Sequence, residues 1–125
     1  MANPNIVAVT AIYGVTTYLT PSGTAAVVLL PNAAASGLVF KINQIVCANV
    51  NGSSAVNATV AINNQAAGAG TNFPVISTVS VPASASVIAV DKTTAIYLME
   101  NSSIVVTSGT SSGITYTISY ESIAS

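Results

Sequence analysis

Short runs of Val, Ile, Thr and Tyr, cut roughly every eight to twelve residues by clusters of Gly, Pro, Asn and Ser, leave this chain few folds to choose from. No segment carries the apolar stripe of an amphipathic helix, so the elements are strands joined by tight turns. Each strand must bury one face against another layer. With 125 residues there is material for one hydrophobic core and no second domain. The expected fold is all-β: a single antiparallel β-sandwich over residues 1–125, of jelly-roll or immunoglobulin-like type, with an open barrel as the lesser possibility. Residues 1–9 are expected to form an extended N-terminal arm.

Residues 38–50 alternate most cleanly. Leu38, Phe40, Ile42, Val46, Ala48 and Val50 are expected to face the core, with Val39, Lys41, Asn43, Ile45, Cys47 and Asn49 opposite. Asn51-Gly52-Ser53-Ser54 signals a turn, which predicts a hairpin with residues 55–63, where Val56, Ala58, Val60 and Ile62 point inward. IVVTS, GTSSG and ITYTISY repeat that grammar near the C-terminus and predict a second hairpin, with Ile114, Tyr116, Ile118 and Tyr120 on one face. Between them lie strands at residues 73–81, 87–90 and 95–99, and Pro74 and Pro82 suit a sheet edge. Upstream, IVAVTAIYG and TTYLT read as one long or two short strands, followed by TAAVVLL, which Pro31 stops. Residues 63–72, NNQAAGAGTN, read as the least structured stretch.

Composition narrows the chemistry. Two Lys+Arg and three Asp+Glu give a net charge of -1, and Lys41 and Lys92 are the only cations, so neither nucleic acid nor an anionic membrane surface is an expected partner. The most apolar stretch, TAAVVLLPNAAASGLVF, is interrupted by Pro31, Asn32, Ser36 and Gly37 and falls short of the about 20 residues of a membrane span. The start MANPNIVAVT has no basic leader and no apolar h-region, so no export is expected and the formal glycosylation acceptors Asn51, Asn57 and Asn101 are not expected to be used. Cys47 is the single cysteine and reads as a small hydrophobe, so no internal disulfide or thiolate metal site is available.

There is no histidine to serve as a general base. Glu100 and Glu121 are the best candidates for a paired-carboxylate site, but each sits at a strand end, where an exposed solubilising charge is ordinary. Asp91-Lys92 reads as turn chemistry. The expectation is no enzyme, no metal and no cofactor. Tyr116 and Tyr120 share a strand face, where they could pack in a core or an interface or form a platform for a sugar, and the absence of Trp weighs against the sugar.

The positive signal is the near absence of charge. Free domains carry about a quarter charged residues, and this chain has 4%. Such a surface suits burial against neighbouring copies, as do strand edges without protecting residues. The candidate interface residues are Ile6, Val7 and Val9 of the arm, Tyr116 and Tyr120, and Val39, Ile45 and Cys47, apolar members of an otherwise polar face that would meet a second sheet or a second subunit.

Three long segments, MANPNIVAVTAIYGVTTYLT, KINQIVCANVNGSSAVNATVAI and the tail from ISTVSVPASASVIAVDKTTAIYLMENSS to ISYESIAS, resemble small virion proteins of tailed phages, especially marine cyanophages. The matching pieces are Met1 to Gly14, Ile45 to Gly52, Val81 to Ala83, Asp91 to Leu98 and Ser119 to Ile123, so the resemblance spans essentially the whole chain. The chain departs from the pattern where an acidic pair near the C-terminus is reduced to Glu121, and where an E-G-D segment reads Glu100-Asn101-Ser102. The resemblance implies a structural component of the particle, made in the host cytoplasm and carried in the virion. Its implied partners are copies of itself and phage capsid or neck and tail proteins. A capsid decoration or cement subunit is the first expectation, a neck, collar or tail-surface subunit the second, and a glycan-binding module a minor alternative.

Overall fold

Alternating apolar positions become nine strands in the computed structural model, which describes residues 4–125. They are β1 (Ala11–Leu19), β2 (Val27–Asn32), β3 (Leu38–Asn49), β4 (Val56–Asn63), β5 (Asn72–Val81), β6 (Ser86–Val90), β7 (Ile96–Leu98), β8 (Ser102–Ser108) and β9 (Ile114–Ala124). The helical content among the described residues is one 3-10 turn, Lys92–Thr94, capped by the Asp91 carboxylate.

The strands form two sheets, ordered β1-β9-β3-β6 and β2-β8-β4-β5, with β7 pairing β3 beyond the end of β6. Every pairing is antiparallel. β1 returns along β9, β2 along β8, β3 along β6 and β7, and β4 along β5. Nested returns of this kind arise when one long antiparallel ribbon rolls over on itself, which is the jelly roll. The expected β-sandwich is present, and its strand order selects the jelly roll over the immunoglobulin-like alternative.

The two expected hairpins are not. β3 and β4 lie in different sheets, as do β8 and β9, so the turns between them carry the chain across the sandwich. The turn chemistry suits a reversal, but the groups that hold each turn reach the other layer. Buried Asn49 donates its amide to the carbonyls of Ser54, Val81 and Pro82 at 3.0, 2.9 and 3.2 Å and accepts from Asn51 N–H at 2.8 Å. At the second crossing Gly109 N–H donates to the Asn57 carbonyl at 2.8 Å, and Val50 N–H to the Gly113 carbonyl at 3.0 Å.

One apolar cluster drawn from both sheets fills the sandwich. Ile42, Ile45, Tyr116 and Ile118 of the first sheet meet Ala58, Val60, Ile104 and Val106 of the second, all fully buried. Each large aliphatic side chain so buried stabilises the fold by roughly 1.5–3 kcal/mol. β4 and β9 keep the expected phase: Val56, Ala58, Val60, Ile114, Tyr116 and Ile118 point inward, while Ile62 and Tyr120 are half-buried.

β3 changes phase midway, which corrects the expected facing of residues 45–50. Ile42 pairs with Tyr120 and Gln44 with Ser119, leaving Asn43 as an extra residue opposite no partner. This β-bulge moves the second half of the strand by one position. Phe40 and Ile42 face in before it; Ile45, Cys47 and Asn49 face in after it, and Val50 is exposed.

Pro31 sits inside β2 opposite Ser103 rather than ending it, and Pro74 sits inside β5 opposite Ala61. Both are edge strands, where a missing N–H breaks no ladder. The stretch at residues 64–71 is a loop tied down by buried Asn63, which accepts from Gln65 and Gly70 N–H at 2.9 and 3.0 Å and donates to the Gly68 carbonyl at 3.3 Å. Gly70 is needed there because a Cβ would lie 1.9 Å from the Asn64 side-chain oxygen.

Candidate assembly surface

The stretch from Ile6 to Tyr18 leaves its large apolar side chains outside the core. Asn5 makes a local turn by accepting Val7 N–H on its side chain at 2.9 Å, which leaves Ile6 51% and Val7 91% exposed. β1 follows as an edge strand held by β9 on one side only. Its two faces carry Ile12 and Tyr18 on one and Tyr13 and Val15 on the other. Tyr18 and Tyr13 remain 74% and 67% exposed. Among the described residues, six of the eleven exposed large hydrophobic side chains fall between Ile6 and Tyr18. Ile12, Tyr13, Val15 and Tyr18 were not among the residues picked out by alternation. Their signal is that no charged side chain precedes Lys41.

The other candidate interface residues divide. Ile6 and Val7 are exposed and Val9 is half-buried. Val39, Ile45, Cys47 and Tyr116 are buried, the last three between the two sheets, where a partner does not reach them. Ile45 and Cys47 meet the second sheet, because the bulge at Asn43 turns them inward. Val39 lies outside that cluster, on the floor of a groove of about 310 Å³ shared with Pro4, Ile6, Tyr97 and Met99. Tyr116 spans the sandwich, so it offers no platform to a sugar. Tyr120 packs on Phe40 with ring centroids 4.9 Å apart and an interplanar angle of 49°. Of the expected arm, residues 1–3 lie outside the described residues.

Burial controls the titratable groups inside the sandwich. The Cys47 thiol is pushed up to about 12 by desolvation, so it stays protonated and unreactive at neutral pH. Desolvation also raises the Tyr116 and Tyr120 phenols. Asp91 is held below the usual carboxylate range, first by the Thr93 hydroxyl and then by the backbone N–H groups of its turn.

No known protein family, characterised protein or solved structure matches the chain.

A second feature is polar. Around the bulge, Asn43, Gln44, Asp91, Lys92 and Ser119 line a shallow cavity of about 240 Å³. Glu121 accepts from the Asn43 amide at 2.8 Å and stands opposite Lys41 in the β3 and β9 register. Four of the chain's five charged residues thus gather on this side of the first sheet. The fifth, Glu100, accepts Gly37 N–H at 3.0 Å in a different crossover. Each of the two glutamates considered as a catalytic pair is thus engaged in a separate structural bond. Among the described residues no group of three or more His, Cys, Asp and Glu could hold a metal ion, and no helix is long and apolar enough to cross a membrane.

Proposed function

We propose that the chain is a non-enzymatic structural subunit of a bacteriophage virion, acting as a capsid decoration or cement protein. The observation that carries this reading is the apolar, uncharged surface from Ile6 to Tyr18 on an otherwise well-closed sandwich. Scattered exposed hydrophobes are ordinary, but a concentration of them on one element marks a surface that is covered in use. Whatever binds the assembled shell better than its separate parts shifts the equilibrium toward assembly. Many weak copies then act together by avidity. The segmental resemblance to small virion proteins supplies the phage setting, and the jelly-roll architecture is compatible with it.

The test is to mix the purified full-length chain with shells of the parent phage that lack it, and to measure co-sedimentation and the temperature at which the shells rupture. Binding at a stoichiometry set by the shell lattice, with a raised rupture temperature, is expected. A chain that ignores shells but labels necks or tails places it elsewhere in the particle and removes the cement role.

A further inference from the structure

β1 differs from the other three edges of the sandwich. β2 is short, breaks register between Val28 and Leu30 and carries Pro31. β5 carries Pro74, breaks register with β4 twice and has a positive φ of 47° at Thr78. The edge formed by β6 and β7 is interrupted by the Lys92–Thr94 turn and shifts register opposite Ile45 and Val46. Bulges, prolines and charges of these kinds are how native sheets prevent edge-to-edge pairing. β1 has none of them: its ladder with β9 runs unbroken from Ala11 opposite Ala124 to Leu19 opposite Tyr116, and AIYGVTTYL holds no charge and no proline.

We propose that β1 is a strand-addition edge that receives β1 of a second copy, antiparallel, about a two-fold axis. This rests on the reading of the stretch from Ile6 to Tyr18 as an assembly surface and names its partner. The guarded edges leave β1 no other strand of this chain to join, so the contact is isologous and closes at two copies. Residues opposite one another must share a face, so one residue lies on the axis facing itself. Centring on Val15 pairs all nine residues, sets Ile12 against Tyr18 on one face and Tyr13 against Thr17 on the other, and gives aromatic contacts with aliphatic and β-branched partners. The strand carries no charge and the whole chain only -1, so two copies approach without repulsion along the edge. The exposed parts of Ile12, Tyr13, Val15 and Tyr18 amount to on the order of 450 Å² per copy. With the backbone, the pair covers at most roughly 1,000 Å², the lower limit of specific interfaces. The dimer is therefore weak and concentration-dependent in solution, and is strengthened where a shell holds copies side by side.

Sedimentation of the full chain over a wide concentration range, combined with single cysteines at positions 13 to 17, tests this. Paired antiparallel residues lie about 4.5–5.5 Å apart between Cα atoms, within disulfide reach. Expected are a reversible dimer, fastest oxidative cross-linking for Val15→Cys with Tyr13→Cys and Thr17→Cys far slower, and silence from buried Cys47 in the parent chain. Ile12→Lys with Tyr18→Lys should weaken the dimer at least tenfold while circular dichroism and the thermal midpoint of the monomer stay unchanged. A parent chain that stays monomeric, or a dimer indifferent to these lysines, overturns the proposal. If the chain stays monomeric and binds shells through surfaces other than β1, strand addition falls and the structural reading stands. If it is monomeric yet binds shells through β1, the edge takes a strand of another protein, and the second copy is ruled out.

Discussion

The Tyr116 hydroxyl, on β9 of one sheet, accepts the backbone N–H of Thr59, on β4 of the other, at 3.3 Å. The same hydroxyl donates to the carbonyl of Thr107, the register partner of Thr59 on β8. One phenol thus stands in for a rung between two central strands and pins the layers together. Tyr116→Phe leaves the ring in place and strands a buried donor and acceptor, at a cost of about 1–3 kcal/mol. Urea unfolding should show a lower midpoint with an unchanged slope. A variant as stable as the parent would mean that the ring alone holds the layers.

Buried asparagines do for the crossovers what Tyr116 does for the core. Asn49 satisfies the carbonyls of Ser54, Val81 and Pro82 at once, so Asn49→Ala orphans three acceptors and the Asn51 N–H. A loss of roughly 2–4 kcal/mol is expected. Ser53→Ala, at the exposed tip of the same crossover, should cost less than about 0.5 kcal/mol. Thermal unfolding of the two variants side by side distinguishes a crossover held by its buried amide from one held by turn propensity.

The bulge at Asn43 makes a sharper prediction. Deleting Asn43 removes the extra residue and leaves an unbroken ladder in which Gln44 still pairs with Ser119 and Ile45 with Ile118, so Ile45 and Cys47 stay in the core. Deleting Val46, past the bulge, instead slips the rest of β3 by one residue and sends Cys47 and Asn49 to the opposite face. The Asn43 deletion is expected to keep a cooperative unfolding transition, and the Val46 deletion to abolish it. Loss of cooperative unfolding on deleting Asn43 alone would show that the extra residue does not set the phase.

That bulge also explains why the sequence could be read only in part. β9 alternates without a break from Ile114 to Tyr120, so the burial of Ile114, Tyr116 and Ile118 was legible. β3 looked equally regular, and its one trace of a bulge is the adjacent polar pair Asn43-Gln44 between two buried isoleucines. Strand order was not legible, because it rests on partners far apart in the chain, such as Asn49 with Val81 and Tyr116 with Thr59. The same local view placed Ile45 and Cys47 among interface candidates, since a second sheet and a second subunit look alike along a strand. The exposed face of β1 left one trace, the uncharged stretch before Lys41, which alternation alone does not weigh.

Burial of protonated groups fixes the response to pH. Cys47 moves from an ordinary value of 9.0 to about 12 in the folded chain. Above pH 9 the unfolded thiol ionises while the folded one keeps its proton, so the native state binds more protons and stability falls as pH rises. The contribution is fully present below pH 9 and is lost at up to about 1.4 kcal/mol per pH unit until the folded thiol itself ionises. Tyr116 and Tyr120 shift in the same direction from an ordinary value of 10.0, so they steepen the fall as the pH approaches and passes 10. With no histidine in the chain, the profile between pH 5 and 8 should be flat. Urea unfolding at intervals from pH 7 to 10.5 measures the slope. Cys47→Ala lowers stability throughout by opening a small cavity, but between pH 9 and 10 its curve should fall less steeply than the parent's, the remaining descent coming from the two desolvated phenols. Parallel descents in that interval would assign the alkaline loss to groups other than the buried thiol.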